Sequence, residues 1–153
     1  MLQCSFELND KPMSTFKING AISVPAFSGL APHINQRLSA CLPSLGPIPP
    51  GRYYIVDRES GGRLGWLREA FIDRSDWFAL YTADGKIDDE MFCNEVLRGN
   101  FRLHPKGPRG ISQGCIVIDS AANFYRVRGL LVGCGRHPIP GSALRAYGMV
   151  AVK

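Results

Sequence analysis

No apolar run in this 153-residue chain is long enough to cross a membrane as a helix, so no membrane insertion is expected. The opening residues, "MLQCSFELNDKPM", bring in charge by the seventh position and lack the apolar stretch of a Sec signal. The expectation is a product made in the cytoplasm and exported by a route that reads no cleaved signal. Histidine is scarce, with only three in the chain, and there is no paired C-x-x-C spacing. Both shortages argue against a zinc site. Lysines and arginines are scattered, with no zinc-finger pattern, basic helix or aromatic single-strand platform, so nucleic acid is not expected as a partner despite the formal charge of +5. Internal repeats and low-complexity linkers are also missing.

What is present is an ordinary globular balance, with 45% apolar and 20% charged residues, and enough chain for one hydrophobic core. We therefore expect a single domain over residues 1–153. The runs "CSFEL", "TFKING" and "AISVPAF", punctuated by "NDKP", "NG" and "SG", predict short strands and turns in the first forty residues. Strands are also expected at Arg52 to Asp57 and Trp77 to Thr82, and in "FRLHP", "CIVI" and the apolar tail. Early acidic residues, helically spaced apolar residues and Gly99 after Arg98 predict a short helix over Asp88 to Leu97. A second helix is expected through "AANFYRVRGLL", capped by Asp119 or Ser120, with Phe124, Val127 and Leu130 or Leu131 on one face. The fold class is thus α+β and β-rich, with two or three short helices.

The five cysteines, Cys4, Cys41, Cys93, Cys115 and Cys134, are odd in number, so at least one stands outside any internal disulfide. In an oxidising periplasm Cys4, Cys41, Cys93 and Cys134 are available for pairing, with a connectivity that spacing does not reveal. Cys115 stands apart because of its loop, "RLHPKGPRGISQGCIVID". There a strand end delivers His104, and a Gly/Pro loop returns to Cys115 at the head of an apolar strand. A nucleophilic cysteine needs a nearby base or positive field and donors for an oxyanion. His104 supplies the base. Gly114 leaves the thiol approachable, and main-chain N–H groups at Gly114 and Cys115 are candidates for an oxyanion hole. Ser112 can position a ring or substrate, while Arg102 and Arg109 can attract a substrate carboxylate and favour a thiolate. Any partner fixing the histidine tautomer is open at this point, since a main-chain carbonyl would serve.

The segment "HPKGPRGISQGCIVI" resembles the His…Ser-x-Gly-Cys signature of the L,D-transpeptidase (YkuD-like) enzymes of bacterial peptidoglycan. "AFSG" followed by "GPIPPGRYYIVD" adds a second likeness, and together they resemble the small L,D-transpeptidase-like proteins that include peptidoglycan-targeting effectors of type VI secretion systems. The resemblance implies a β-sandwich with a few short helices and no cofactor. It casts Cys115 as nucleophile, His104 as base, and Ser112 and Gly114 as supporting loop positions. The substrate implied is the tetrapeptide stem, cut between its third residue and the terminal D-alanine, with hydrolysis, D-amino-acid exchange and cross-linking as outcomes. A target-cell periplasm, secretion components and a cognate immunity protein are further implications. The sequence departs from the pattern in its short His-to-Cys interval, in Gln113 before Gly-Cys, and in Val117, where an arginine is common.

Rival readings use the same residues. A papain-like or NlpC/P60-like peptidase usually opens a helix with its cysteine and places the histidine afterwards, which would make His137 the base. A metal site from His104, Cys115, Cys134 and His137 has irregular spacing, and a non-catalytic wall-binding domain would need none of this chemistry. Trp66, Trp77, Tyr53, Tyr54 and Phe78 are expected as core or groove-wall aromatics, and His33 as a turn residue.

Overall fold

Alternating burial organises the first strands. In β1 (Leu2–Phe6) and β2 (Ser14–Ile18), Cys4, Phe6, Phe16 and Ile18 turn inward while Gln3 and Lys17 face solvent. The computed structural model describes residues 1–58, 76–84, 87–107 and 112–153. Its further strands are β3 (Ile22–Phe27), β4 (Gly51–Asp57), β5 (Phe78–Thr82), β6 (Glu90–Cys93), β7 (Val96–Gly99), β8 (Arg102–Pro105), β9 (Ile116–Ile118), β10 (His137–Pro138) and β11 (Arg145–Val152). The strands expected from sequence in the first forty residues, at Arg52 to Asp57, near Trp77 to Thr82 and in the tail are all present.

The main sheet runs β1-β2-β3-β9-β8-β5-β4-β11-β10, and β1 also pairs in parallel with β11. That pairing closes eight strands into a barrel, with β10 carried outside on β11. The β-rich α+β class holds, but the strands close on themselves where two facing sheets of a sandwich were expected. Closure satisfies the main-chain groups that open edges would leave unpaired. Inside lie Phe6, Phe16, Tyr53, Ile55, Phe78, Leu80, Leu103, Ile116 and Ile118.

Among the described residues there is one α-helix, α1 (Ala121–Cys134), and one 3-10 turn at Arg37–Ser39. The Ser120 hydroxyl caps α1 by accepting the Asn123 N–H at 3.2 Å. Phe124, Val127 and Leu131 are fully buried and join the barrel core, while Leu130 stays partly exposed. The expected capping and apolar face are therefore observed.

The helix expected over Asp88 to Leu97 is a hairpin instead. Strands β6 and β7 form their own two-stranded sheet, with Glu90 opposite Gly99 and Cys93 opposite Val96. Asn94 and Glu95 both take positive φ, 47° and 68°, as a two-residue hairpin turn requires. Met91, Phe92, Val96 and Leu97 mimic helical spacing by coincidence, and glutamate at the second turn position disguises the signal. Gly99 suits the register, since a Cβ there would lie 2.2 Å from the Asp89 carbonyl oxygen.

Three of the hairpin's ties stand out among the described residues. A disulfide joins Cys41 to Cys93. Arg98, only 4% exposed, donates to the carbonyls of Ala40, Gly46 and Pro47 and lies over the Phe101 ring. Burial depresses its pKa against the smaller opposing effect of Tyr53. The third tie is Asp89, just before β6, which receives a two-pronged ion pair from Arg102.

Candidate active site

The parallel β8–β9 ladder sets the site. Leu103 pairs with Ile116 and His104 with Val117, so Leu103 and Ile116 enter the core while His104 and Arg102 take the opposite face. Cys115, one residue ahead of β9, shares that outer face by alternation. It lies diagonal to His104, at a backbone separation of about 8 Å from strand spacing and a two-residue step. An imidazole and a thiol can close such a gap. The sequence brought these two together by proximity in one loop; the register puts both on one side.

His104 is 7% exposed, and its Nδ1 lies 2.8 Å from the Pro105 carbonyl oxygen. A carbonyl only accepts, so Nδ1 carries the proton and donates it. Nε2 is thereby left as the basic nitrogen whenever the ring is neutral. The tautomer-fixing group that sequence left open is this main-chain carbonyl. Trp77 stacks on the imidazole, with ring centroids 4.1 Å apart and 16° between planes.

Ser112 is engaged within the loop itself. It is 2% exposed, accepts the N–H groups of Gly29 (3.2 Å) and Gly114 (3.3 Å), and donates to the Cys115 carbonyl at 2.8 Å. One donor and two acceptor positions exhaust a hydroxyl. Ser112 therefore shapes the turn and ties it to the "AFSG" segment. That segment is itself braced, because Ser28 Oγ accepts the Ile48 N–H at 2.8 Å and Asn35 Oδ1 the Ser28 N–H at 2.9 Å. The two stretches singled out in the sequence thus meet in space.

Gly114 is tied to the same hydroxyl, its N–H donating to Ser112 Oγ at 3.3 Å. Its φ is +112°, and a Cβ there would lie 2.6 Å from Arg98 Nη2 and 3.1 Å from the Phe101 ring. The missing side chain makes room for the floor beneath the loop, and Arg98, bonded to three carbonyls, cannot easily yield. Gly114→Ala is expected to cost about 3 kcal/mol of stability through backbone strain and overpacking. Thermal unfolding would show this, and a change in midpoint below one degree would refute it.

Arg102 uses both prongs on Asp89 Oδ1 (2.9 Å) and Oδ2 (2.8 Å) and donates to the Phe101 carbonyl. Burial opposes its charge, but the Asp89 hydrogen bond and charge, with Cys115 and Tyr81, outweigh this and raise its pKa. Its fork already holds a carboxylate, so capture of a substrate carboxylate would require exchange with Asp89. What remains is a fixed positive field beside Cys115. Arg109, the other expected substrate contact, and Trp66 lie outside the described residues.

Elsewhere, Cys115 Sγ lies 4.0 Å from the Asn100 carbonyl oxygen. His137 stands beside Cys134, Nε2 to Sγ 4.0 Å, and His33 bonds Ser39 Oγ at 2.9 Å within its turn. Among the described residues no three His, Cys, Asp or Glu side chains gather as a metal site. Cys4 is buried, and burial pushes its thiol up to about 12. Val117 is wholly buried against the neighbouring strand and does not reach solvent. Sequence reasoning missed Asp89, Arg98 and the partnership of Trp77 with His104. Only Trp77 left a trace, as an aromatic at the start of an expected strand.

The family model described as the Tlde1 domain matches residues 22–138. No curated protein matches the chain.

Proposed function

Because the chain belongs to the Tlde1 domain family, the L,D-transpeptidase effectors of type VI secretion, and is thereby a peptidoglycan-modifying effector, we propose that it is a cysteine acyltransferase of tetrapeptide stems. The catalytic unit proposed is a single domain over residues 1–153. Its site of action is the periplasm of a target bacterium, and its partners are the secretion machinery and a cognate immunity protein. The observation that carries the mechanism is the β8–β9 register, which gives Cys115 and His104 one face, together with the Pro105 carbonyl on Nδ1.

In the proposed reaction the Cys115 Sγ proton passes to His104 Nε2, and the thiolate attacks the carbonyl carbon between stem residue three and D-alanine. The Arg102 guanidinium favours the thiolate through space. Collapse of the tetrahedral intermediate breaks the C–N bond. His104 returns its proton to the departing amine, and D-alanine leaves a thioester on Cys115. His104 then activates the acceptor: water gives L,D-carboxypeptidase activity, and the amine of a free D-amino acid gives exchange. Either outcome depletes the tetrapeptide donors of a growing wall.

The test is mass spectrometry of tetrapeptide muropeptides incubated with the protein, with and without D-methionine. Loss of D-alanine, or its replacement by D-methionine, is expected. Unchanged muropeptides with the Cys115 thiol free and the Cys41–Cys93 disulfide intact would sink the reading.

A further inference from the structure

The imidazole of His104 is enclosed more completely than a base on a strand end needs to be. In the antiparallel β5–β8 ladder, Phe78 pairs with Leu103 and Ala79 with Arg102. The next step of that register sets Trp77 opposite His104, and there the indole lies flat on the imidazole at 4.1 Å and 16°. On the other neighbouring strand the residue opposite His104 is Val117, fully buried. The Nδ1 edge is bonded to the Pro105 carbonyl. One ring face, one flank and one edge are therefore fixed.

An imidazole is ordinarily free to turn about its last torsion, which is broad and nearly two-fold. A flip would exchange Nδ1 with a carbon and withdraw Nε2 from the thiol. The stacked indole opposes tilting of the ring, and its π face attracts a cation. We infer that Trp77 is the positioning residue of His104: it holds the ring in the plane from which Nε2 takes the Cys115 proton, and stabilises the imidazolium that results. The inference rests on the reading of Cys115 and His104 as nucleophile and base. Trp77 acts through His104 and needs no contact with substrate.

Two other thiols of the chain make the test internally controlled. Cys134 is exposed and serves as a reference thiol, whereas Cys4 is buried and reacts only when the fold opens. The experiment follows alkylation of each by iodoacetamide at neutral pH, peptide by peptide, in the parent, Trp77→Leu and Trp77→Phe. In parallel, kcat and KM are measured on tetrapeptide. In Trp77→Leu the rate at Cys115 relative to Cys134 should fall by about tenfold or more, as loss of ring placement implies. The same variant should lose kcat in step, hold KM within about twofold, and keep Cys4 protected; Trp77→Phe should recover most of both losses. An unchanged Cys115-to-Cys134 ratio in folded Trp77→Leu overturns the inference. A parent in which Cys115 reacts no faster than Cys134 overturns the underlying reading instead. If Leu at this position exposes Cys4, Trp77→Met, which fills the space with a flexible apolar chain, decides by the same ratio.

Discussion

Cys115→Ala is expected to leave tetrapeptide muropeptides unchanged, with no acyl adduct on the protein, while the barrel stays folded. The half-buried Cys115 side chain sits on the outer face and contributes little to the core, so truncation removes the nucleophile with little structural cost. His104→Ala should behave differently. Loss of a general base lowers turnover by about 10²–10⁴-fold, but an ordinary thiol is already a few per cent thiolate near neutrality. The residual activity of His104→Ala should therefore climb with pH as the Cys115 thiol ionises without help from a base. Intact-protein mass spectrometry reports the thioester, and muropeptide analysis reports turnover. Parent-like turnover in either variant would remove that residue from the mechanism, and parent-like turnover in both would move the chemistry to other residues.

Loss of the Cys41–Cys93 disulfide is expected to have the largest effect on stability. The bond closes a loop with a sequence separation of 52. Chain entropy alone then gives it about 4 kcal/mol, by restricting the unfolded state. That is a large share of the 5–15 kcal/mol typical of a folded domain. The bond also fastens a hairpin of two four-residue strands that, among the described residues, pairs with no strand of the barrel, and two-stranded hairpins are marginal alone. Arg98 and Asp89 would remain as non-covalent ties. With urea m-values of about 1–3 kcal/mol/M, the double variant Cys41→Ser/Cys93→Ser should unfold at a midpoint roughly 2 M lower. Reduction of the parent should reproduce that shift. A midpoint within about 0.3 M of the parent's would show that Arg98 and the Asp89–Arg102 pair hold the hairpin without covalent help. Such a bond suits an oxidising compartment, in keeping with action in a periplasm.

The same hairpin shows where sequence patterning stops. Alternating burial in β1 and β2, the β-branched and aromatic residues of β4, and the Ser120 cap with Phe124, Val127 and Leu131 were all legible, because each is decided by residues a few positions apart. So was the loop that carries His104 and Cys115, since its histidine, glycines and cysteine lie within one short stretch. The β6–β7 segment was not, because Asn94 and Glu95 adopt left-handed conformations that glutamate rarely advertises. Its apolar residues fit either periodicity.

What the sequence by itself determined was the β-rich class, most strand positions, the helix and its apolar face, and the candidate nucleophile and base. The tertiary structure decided the barrel closure through β1 and β11, the disulfide partner of Cys41, and the use of Ser112 and Gly114 to build the turn over Arg98 and Phe101. It also decided the Pro105 carbonyl on Nδ1 and the indole over His104. The reason is physical: local propensity fixes the conformation of a segment, whereas strand register across the barrel decides which distant side chains share a face, and the chemistry of this site depends on that register.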